Sequence, residues 1–127
     1  MTTAETCLVA AGLLPYVATG IAKASSSFDN HQPREWLARQ TGWRARANAA
    51  QANSFEAFAF FAAAVLLAQA RHAPQATVDA FALGFIAARV AYLALYLADL
   101  ATLRSIAWLA GLGCVVATCL AAPLSPV

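Results

Sequence analysis

The sequence predicts an all-α integral membrane protein built as a four-helix bundle, with residues 1–127 forming a single domain. Hydrophobic residues make up 61% of the chain, whereas a typical soluble domain contains roughly 45–50%. Charged residues make up only 11%, against roughly 25% in soluble domains. The apolar residues fall into four segments of about bilayer-spanning length. No segment alternates apolar with polar residues as a barrel strand does, so we expect helices.

The four helices are predicted at about residues 7–23, 46–71, 77–98 and 103–123. Alanine, leucine and glycine dominate these segments, as expected where helices approach closely in lipid. Pro15 lies inside the first segment and is expected to bend that helix near its middle. The chain before this segment carries Glu5 and no basic residue, which is unlike the start of a cleaved signal peptide.

The three connections between these helices differ in length. Residues 71–77 and 99–105 form short connections, so the helices that they join are expected to lie antiparallel. Residues 24–45 form the long connection. Within it, residues 33–40 begin with a proline, which favours a short helix.

Basic residues near the helix ends predict the orientation of the chain. Six of them flank the first and third connections: Lys23, Arg34, Arg39, Arg44, Arg46 and Arg104. Arg71 alone lies at the opposite ends. Because basic residues accumulate in cytoplasmic loops, we expect these two connections in the cytoplasm and both termini outside it, in a bacterial inner membrane. Trp36 and Trp43 are predicted to anchor the long connection at the lipid–water interface.

Composition argues against two other classes of site. The net charge is only +2 and no lysine-rich run occurs, so nucleic-acid binding is not expected. Cys7, Cys114 and Cys119 lie in apolar stretches, and their spacing matches no zinc or redox motif. We interpret them as small packing residues and predict no metal site.

The third predicted helix carries a polar stripe. Four polar residues recur at i, i+3, i+7 and i+10, namely Arg89, Tyr92, Tyr96 and Asp99. This spacing places them on one face of the helix. Arg89 lies near the middle of the segment, where a charged group is costly unless it faces protein. We therefore expect it to pair with Glu56, within a subunit or across a subunit boundary.

The second predicted helix supplies the other polar residues. Asn53 and Glu56 are three residues apart and share a face, and Arg46 lies seven residues before Asn53 on the same stripe. Two interpretations remain open from spacing alone. The cluster is either a structural network that fixes helix register or a ligand site.

Three stretches of the chain resemble the MAPEG family, the membrane-associated proteins of eicosanoid and glutathione metabolism. The first joins Arg46 to the Asn53–Glu56 motif. The second is the sequence ARVAYLALYL of residues 88–97, and the third is the sequence LRS of residues 103–105. The resemblance implies a homotrimer of four-helix subunits that binds glutathione between neighbouring subunits, on the cytosolic side of the membrane.

The resemblance also implies roles for individual residues. The residues implied to bind glutathione are Lys23, Arg46, Asn53, Glu56, Arg89, Tyr92, Tyr96 and Ser105. Arg104 corresponds to the arginine that stabilises the glutathione thiolate, and is therefore the implied catalytic residue. Ala49 and Ala52 stand where the eicosanoid enzymes of the family carry arginine, so fewer cations are left for the glutathione carboxylates.

The leading functional hypothesis is a glutathione-dependent transferase or peroxidase that attacks lipophilic electrophiles or peroxides, with a role in detoxification. The alternative is a non-catalytic member of the same fold with a structural or binding role, in which the polar cluster specifies the trimer. A proton-coupled carrier is less favoured, because four helices lack the inverted repeats typical of carriers.

Overall fold

The structure is a computed structural model that describes residues 1–121. Its helices are α1 (Thr3–Lys23), α2 (Pro33–Ala38), α3 (Gly42–Ala70), α4 (Gln75–Leu97) and α5 (Ala101–Ala121). Residues 1–121 contain no strand, which confirms the all-α prediction. All but α2 are long and apolar enough to cross a bilayer, so the protein is a multi-pass integral membrane protein. Residues 122–123, the predicted end of the last helix, lie outside the described residues.

Two helices start earlier than the sequence predicts, because polar residues extend α1 and α3 beyond their apolar parts. α1 begins at Thr3 because Thr2 and Glu5 form a capping box. The Thr2 hydroxyl accepts the Glu5 N–H at 3.1 Å, and the Glu5 carboxylate accepts the Thr2 N–H at 2.7 Å. α3 begins at Gly42, four residues before the predicted start, and α1 continues through Pro15.

The helices α3 and α4 end in the same kind of tight turn. Each is followed by a residue with positive φ, His72 at 56° and Asp99 at 60°. One residue further on, a backbone N–H bonds the carbonyl five residues earlier: Ala73 to Ala68 at 2.9 Å, and Leu100 to Leu95 at 3.0 Å. This Schellman arrangement satisfies carbonyls that the helix leaves open. It reverses the chain within a few residues, which makes α3–α4 and α4–α5 antiparallel neighbours.

The bundle core lies where the four long helices meet. α1 packs along α3, α4 packs along α5, and α3 also contacts both α4 and α5. Phe61 of α3 and Phe85 of α4 stack at its centre, with their ring centroids 4.0 Å apart. Large apolar side chains point outward, as lipid-facing residues do: Val9, Leu13, Leu66, Leu83, Leu109 and Leu120 are among them.

The long connection is fastened to the bundle by α2. Trp36 is only 5% exposed and packs edge-on against the Phe28 ring, with the centroids 5.1 Å apart. The prediction that Trp36 anchors the connection at the lipid–water interface is therefore wrong, because α2 folds back and buries it beside Ala22 and Ala47. Trp43 remains exposed, and the Arg44 guanidinium lies 4.2 Å from its ring centroid.

Asp79 of α4 joins two helices at the end opposite α2. Its Oδ1 accepts the backbone N–H of Ala4 in the first turn of α1 at 2.9 Å, and also the Gln75 side-chain amide at 2.8 Å. The first N–H groups of a helix have no partner within the helix. The Asp79 carboxylate therefore caps α1 and ties it to α4.

We expect Asp79→Ala to lower the free energy of unfolding by about 1 kcal/mol, the usual cost of losing a helix cap. Unfolding in detergent micelles, followed by circular dichroism as denaturing surfactant is added, measures this change. Glu35→Ala is the control, since Glu35 is exposed on α2. Equal stability of the Asp79 and Glu35 variants would show that the cap contributes nothing.

Candidate functional site

Arg89 is the buried cation at the centre of the candidate site. It lies on α4 and is only 3% exposed. Its Nη2 donates to the side-chain oxygen of Asn53 at 2.8 Å and approaches the Ser54 hydroxyl at 3.4 Å. Both partners are on α3, and Ser54 is itself buried. Two consecutive α3 residues therefore hold the guanidinium inside the bundle.

Gly111 of α5 leaves room for the Arg89 side chain to cross the bundle. A Cβ atom at Gly111 would lie 3.6 Å from Arg89 Cδ and 3.8 Å from a ring carbon of Phe85. The missing side chain thus allows α5 to lie directly over the arginine stem. Ser54 and Gly111 were not predicted from the sequence, where no spacing links them to the polar stripe.

Glu56 does not form a direct ion pair with Arg89 inside the described subunit. Asn53 stands between them, because its side-chain oxygen accepts from Arg89 while its amide nitrogen lies 3.5 Å from a Glu56 carboxylate oxygen. The expected Glu56–Arg89 pairing within one subunit is therefore wrong. Asn53 points toward α4, whereas Glu56, three residues further along α3, is exposed at the bundle surface.

The polar stripe of α4 continues as a stack of rings and guanidinium groups. The Arg89 guanidinium carbon lies 4.1 Å from the Tyr92 ring centroid. The Tyr92 and Tyr96 rings meet edge to face, with their centroids 5.6 Å apart. The Arg104 guanidinium carbon, from α5, lies 4.3 Å from the Tyr96 centroid. We refer to Asn53, Arg89, Tyr92, Tyr96 and Arg104 as the polar chain.

Arg104 ends the polar chain, and its guanidinium N–H groups are available to donate hydrogen bonds. The residue is half-buried, and within residues 1–121 the one ring that its guanidinium contacts is that of Tyr96. Its guanidinium makes no hydrogen bond or ion pair with any residue in 1–121. A guanidinium over a ring face has N–H groups that suit an anionic ligand.

Three further sequence-predicted site residues make contacts outside the polar chain. Arg46 donates to the Leu97 carbonyl at 3.1 Å, at the C-terminal end of α4, where a cation complements the helix dipole. Lys23 Nζ lies 5.2 Å from the Phe28 ring centroid. Ser105 is exposed beside Arg104. The structure thus places all three at the same end of the bundle as Arg104.

A cavity of about 170 Å³ lies beside Arg89, among α3, α4 and α5. We refer to it as the chamber. Its lining residues are Asn53, Glu56, Ala57, Phe60, Phe85, Arg89, Trp108, Gly111, Leu112 and Val115. One rim is polar and the remaining walls are apolar. Within residues 1–121 no cluster of histidine, cysteine, aspartate and glutamate is suited to hold a metal ion.

A second hollow of about 460 Å³ lies between α2 and α3. Its polar lining comes from Arg34, Asn48 and Gln51, and its apolar lining includes Ala49 and Ala52. We refer to it as the α2–α3 groove. Since Ala52 and Glu56 are four residues apart on α3, the groove adjoins the surface that carries Glu56.

Comparison with known proteins identifies the family. A model of the MAPEG family matches residues 3–124, which is nearly the whole chain. Searches of curated proteins and of solved structures return no match. The matched range includes all four membrane-spanning helices. The chain therefore belongs to the MAPEG family, the membrane-associated proteins of eicosanoid and glutathione metabolism.

Proposed function

We propose that the protein is a glutathione-dependent transferase, with peroxidase activity by the same thiolate, that acts on lipophilic electrophiles and contributes to detoxification. The observation that carries this proposal is Arg104, a half-buried guanidinium stacked on Tyr96 whose N–H donors bind no residue in 1–121. A free thiol has a pKa near ~8.5, so little thiolate exists at neutral pH. A fixed guanidinium beside the sulfur favours the anion and does not lose its own proton.

The remaining polar residues suit the other groups of glutathione. The exposed Glu56 carboxylate would accept the ammonium group, and Asn53 would bond the peptide. Arg34, Asn48 and Gln51 line the α2–α3 groove and would receive a carboxylate there, where Ala49 and Ala52 supply no charge. Arg89, Tyr92 and Tyr96 would line the same cleft from α4, and Lys23, Arg46 and Ser105 would complete it near Arg104.

The proposed reaction begins when Arg104 stabilises the thiolate and the thiol proton passes to water. The sulfur then attacks an electrophilic carbon, a carbon–sulfur bond forms, and the displaced group leaves with the bonding electrons. With a hydroperoxide, the sulfur attacks the terminal oxygen and the O–O bond breaks, giving an alcohol and a glutathione sulfenic acid. A second glutathione converts that sulfenic acid to the disulfide and releases water.

We propose that the working unit is a homotrimer in a bacterial inner membrane, with the Arg104 end in the cytoplasm and both termini outside. The exposed Glu56 supports a further subunit, because a carboxylate on a membrane-spanning helix needs a polar partner rather than lipid. The six basic residues at the Arg104 end support the orientation.

A second candidate function is a non-catalytic, structural role for the same polar residues. The observation that favours it is the bonding of Arg89 to Asn53 and Ser54, which gives the buried cation two polar partners on α3. In that case the polar chain fixes the packing of α3, α4 and α5, and Glu56 specifies the trimer.

We expect Arg104→Ala to abolish thiolate formation and to lower conjugation of glutathione to 1-chloro-2,4-dinitrobenzene by about 100-fold or more, the usual loss when one charge-stabilising donor is removed. Ultraviolet thiolate absorbance, titrated with glutathione at neutral pH in detergent, gives the first readout. Arg39→Ala is the matched control, an exposed cation at the same end. Full activity in Arg104→Ala would rule out the proposed thiolate stabiliser.

For the second candidate function we expect Glu56→Ala to weaken the trimer, because it removes the carboxylate that the α3 surface presents to a neighbouring subunit. Size-exclusion chromatography with light scattering in detergent measures the protein mass directly. Glu35→Ala, which removes an exposed carboxylate from α2, is the control. An unchanged trimer mass for the Glu56 variant at low protein concentration would show that Glu56 does not hold the subunits together.

A further inference from the structure

We propose that Tyr96 is a positioning residue for Arg104: the face of its ring, and not its hydroxyl group, holds the guanidinium where that group stabilises the glutathione thiolate. The inference rests on the proposed function, in which Arg104 is the catalytic cation. It is carried by three observations: the turn that brings the two residues together, the contacts of the Arg104 guanidinium, and the way in which the Tyr96 ring is itself held.

The turn between α4 and α5 brings Tyr96 and Arg104 together. Tyr96 is the last residue but one of α4, and Arg104 lies in the first turn of α5. The Leu100 N–H between them donates to the Leu95 carbonyl at 3.0 Å, and the Arg104 N–H donates to the Leu100 carbonyl at 2.9 Å. These backbone hydrogen bonds fix the two positions relative to each other, so the arginine side chain is what remains to be oriented.

The Tyr96 ring supplies the interaction that orients the Arg104 guanidinium. The guanidinium carbon lies 4.3 Å from the ring centroid, within the roughly 6 Å over which a cation is attracted to the face of an aromatic ring. An arginine side chain has many rotamers. Without the ring, the guanidinium would have no hydrogen-bonded, ion-paired or stacked partner within residues 1–121.

The Tyr96 ring is held by its neighbours and not by its own hydroxyl group. That hydroxyl makes no hydrogen bond within residues 1–121. The ring instead meets the Tyr92 ring at an interplanar angle of 86°, with the centroids 5.6 Å apart. Tyr92 is only 5% exposed and stacks with Arg89, whose guanidinium carbon lies 4.1 Å from its centroid. The ring that holds Arg104 is therefore supported by buried residues.

A guanidinium that is held in one place is the better thiolate stabiliser. A donor already oriented toward a developing charge needs no rearrangement during the reaction, and a nearby cation lowers the pKa of a thiol by favouring its anion. If Arg104 were released from the ring, its guanidinium would spread over many rotamers and the pKa of the bound glutathione thiol would rise. Tyr96 thus acts on the reaction through Arg104, and its hydroxyl need not touch the sulfur.

The pKa of the bound glutathione thiol separates the role of the ring from that of the hydroxyl. Ultraviolet thiolate absorbance is measured against pH on the intact protein in detergent, with glutathione in empty micelles as the blank. We expect Tyr96→Leu, which removes the ring, to raise this pKa by about one, a tenfold smaller acid dissociation constant. Tyr96→Phe keeps the ring and should leave the pKa unchanged. An unchanged pKa in Tyr96→Leu, or an equal rise in both variants, would overturn the proposal.

Two further variants separate the ring face from a general loss of packing. Tyr16→Leu is the matched control, because this exposed tyrosine of α1 meets the Phe55 ring and no cation within residues 1–121. A rise in thiol pKa equal to that of Tyr96→Leu would overturn the proposal. The second variant carries 3,4,5-trifluorophenylalanine at position 96, which nearly keeps the shape of phenylalanine but weakens the attraction of the ring face for a cation. We expect a higher thiol pKa than in Tyr96→Phe, and equal values would contradict the role of the ring face.

A double-mutant cycle tests whether Tyr96 acts through Arg104. The kcat/KM for glutathione, with 1-chloro-2,4-dinitrobenzene as the electrophile, is measured for Tyr96→Leu, Arg104→Ala and the combined variant. We expect Tyr96→Leu to cost about tenfold when Arg104 is present and less than about twofold in Arg104→Ala, because the ring then has no guanidinium to hold. Equal losses in both backgrounds would mean that Tyr96 acts on the substrate without Arg104, which would overturn the positioning role.

The wild-type titration distinguishes failure of this inference from failure of the proposed function. Thiolate formation in the wild type, together with an unchanged thiol pKa in Tyr96→Leu, would overturn the positioning role and leave the proposed function standing. A glutathione thiol pKa in the wild type equal to that in empty micelles would overturn the proposed function, and the positioning role with it.

Discussion

A positive charge buried in a membrane-spanning helix has to be compensated by the protein, because lipid chains supply no hydrogen-bond acceptor or counter-charge. Arg89 imposes this constraint on the whole bundle. α3 supplies Asn53 and Ser54 to the guanidinium, α4 supplies the Tyr92 ring, and α5 carries Gly111 where the arginine stem crosses. Moving α3 against α4 by one turn would separate the guanidinium from Asn53 and Ser54, and moving α5 would remove the space that Gly111 leaves for the arginine stem. The requirement to hold one cation therefore fixes how the three helices pack.

The same compensation produces the features that a reaction in a membrane needs. Tyr92 stacks on Arg89, Tyr96 meets Tyr92, and Arg104 stacks on Tyr96. A line of polar groups thus connects the interior of the bundle to the end rich in basic residues. The chamber lies beside this line and is apolar on its remaining walls. In the proposed function, the polar co-substrate would bind along this line and the lipophilic one would lie beside the apolar walls.

The fold could be predicted from composition and segment length, since lipid leaves helices and closed barrels as the only spanning structures. The alignment of Arg89 with the two tyrosines also followed from helical spacing. The partner of Arg89 could not be predicted in this way, because the rotation of α3 about its axis decides whether Asn53 or Glu56 faces α4. The role of Gly111 could not be predicted, because it depends on the lack of a side chain opposite Arg89, which lies 22 positions earlier in the chain.

A double-mutant cycle between Asn53 and Arg89 tests most directly whether their contact organises the bundle. The free energy of unfolding in detergent is measured for Asn53→Ala, Arg89→Met and the combined variant. We predict a coupling energy of about 1.5 kcal/mol or more, as for a hydrogen bond to a buried charge. Asn53→Ala should then cost little once the charge is gone. Additive effects, within about 0.5 kcal/mol, would contradict the central place given to this contact.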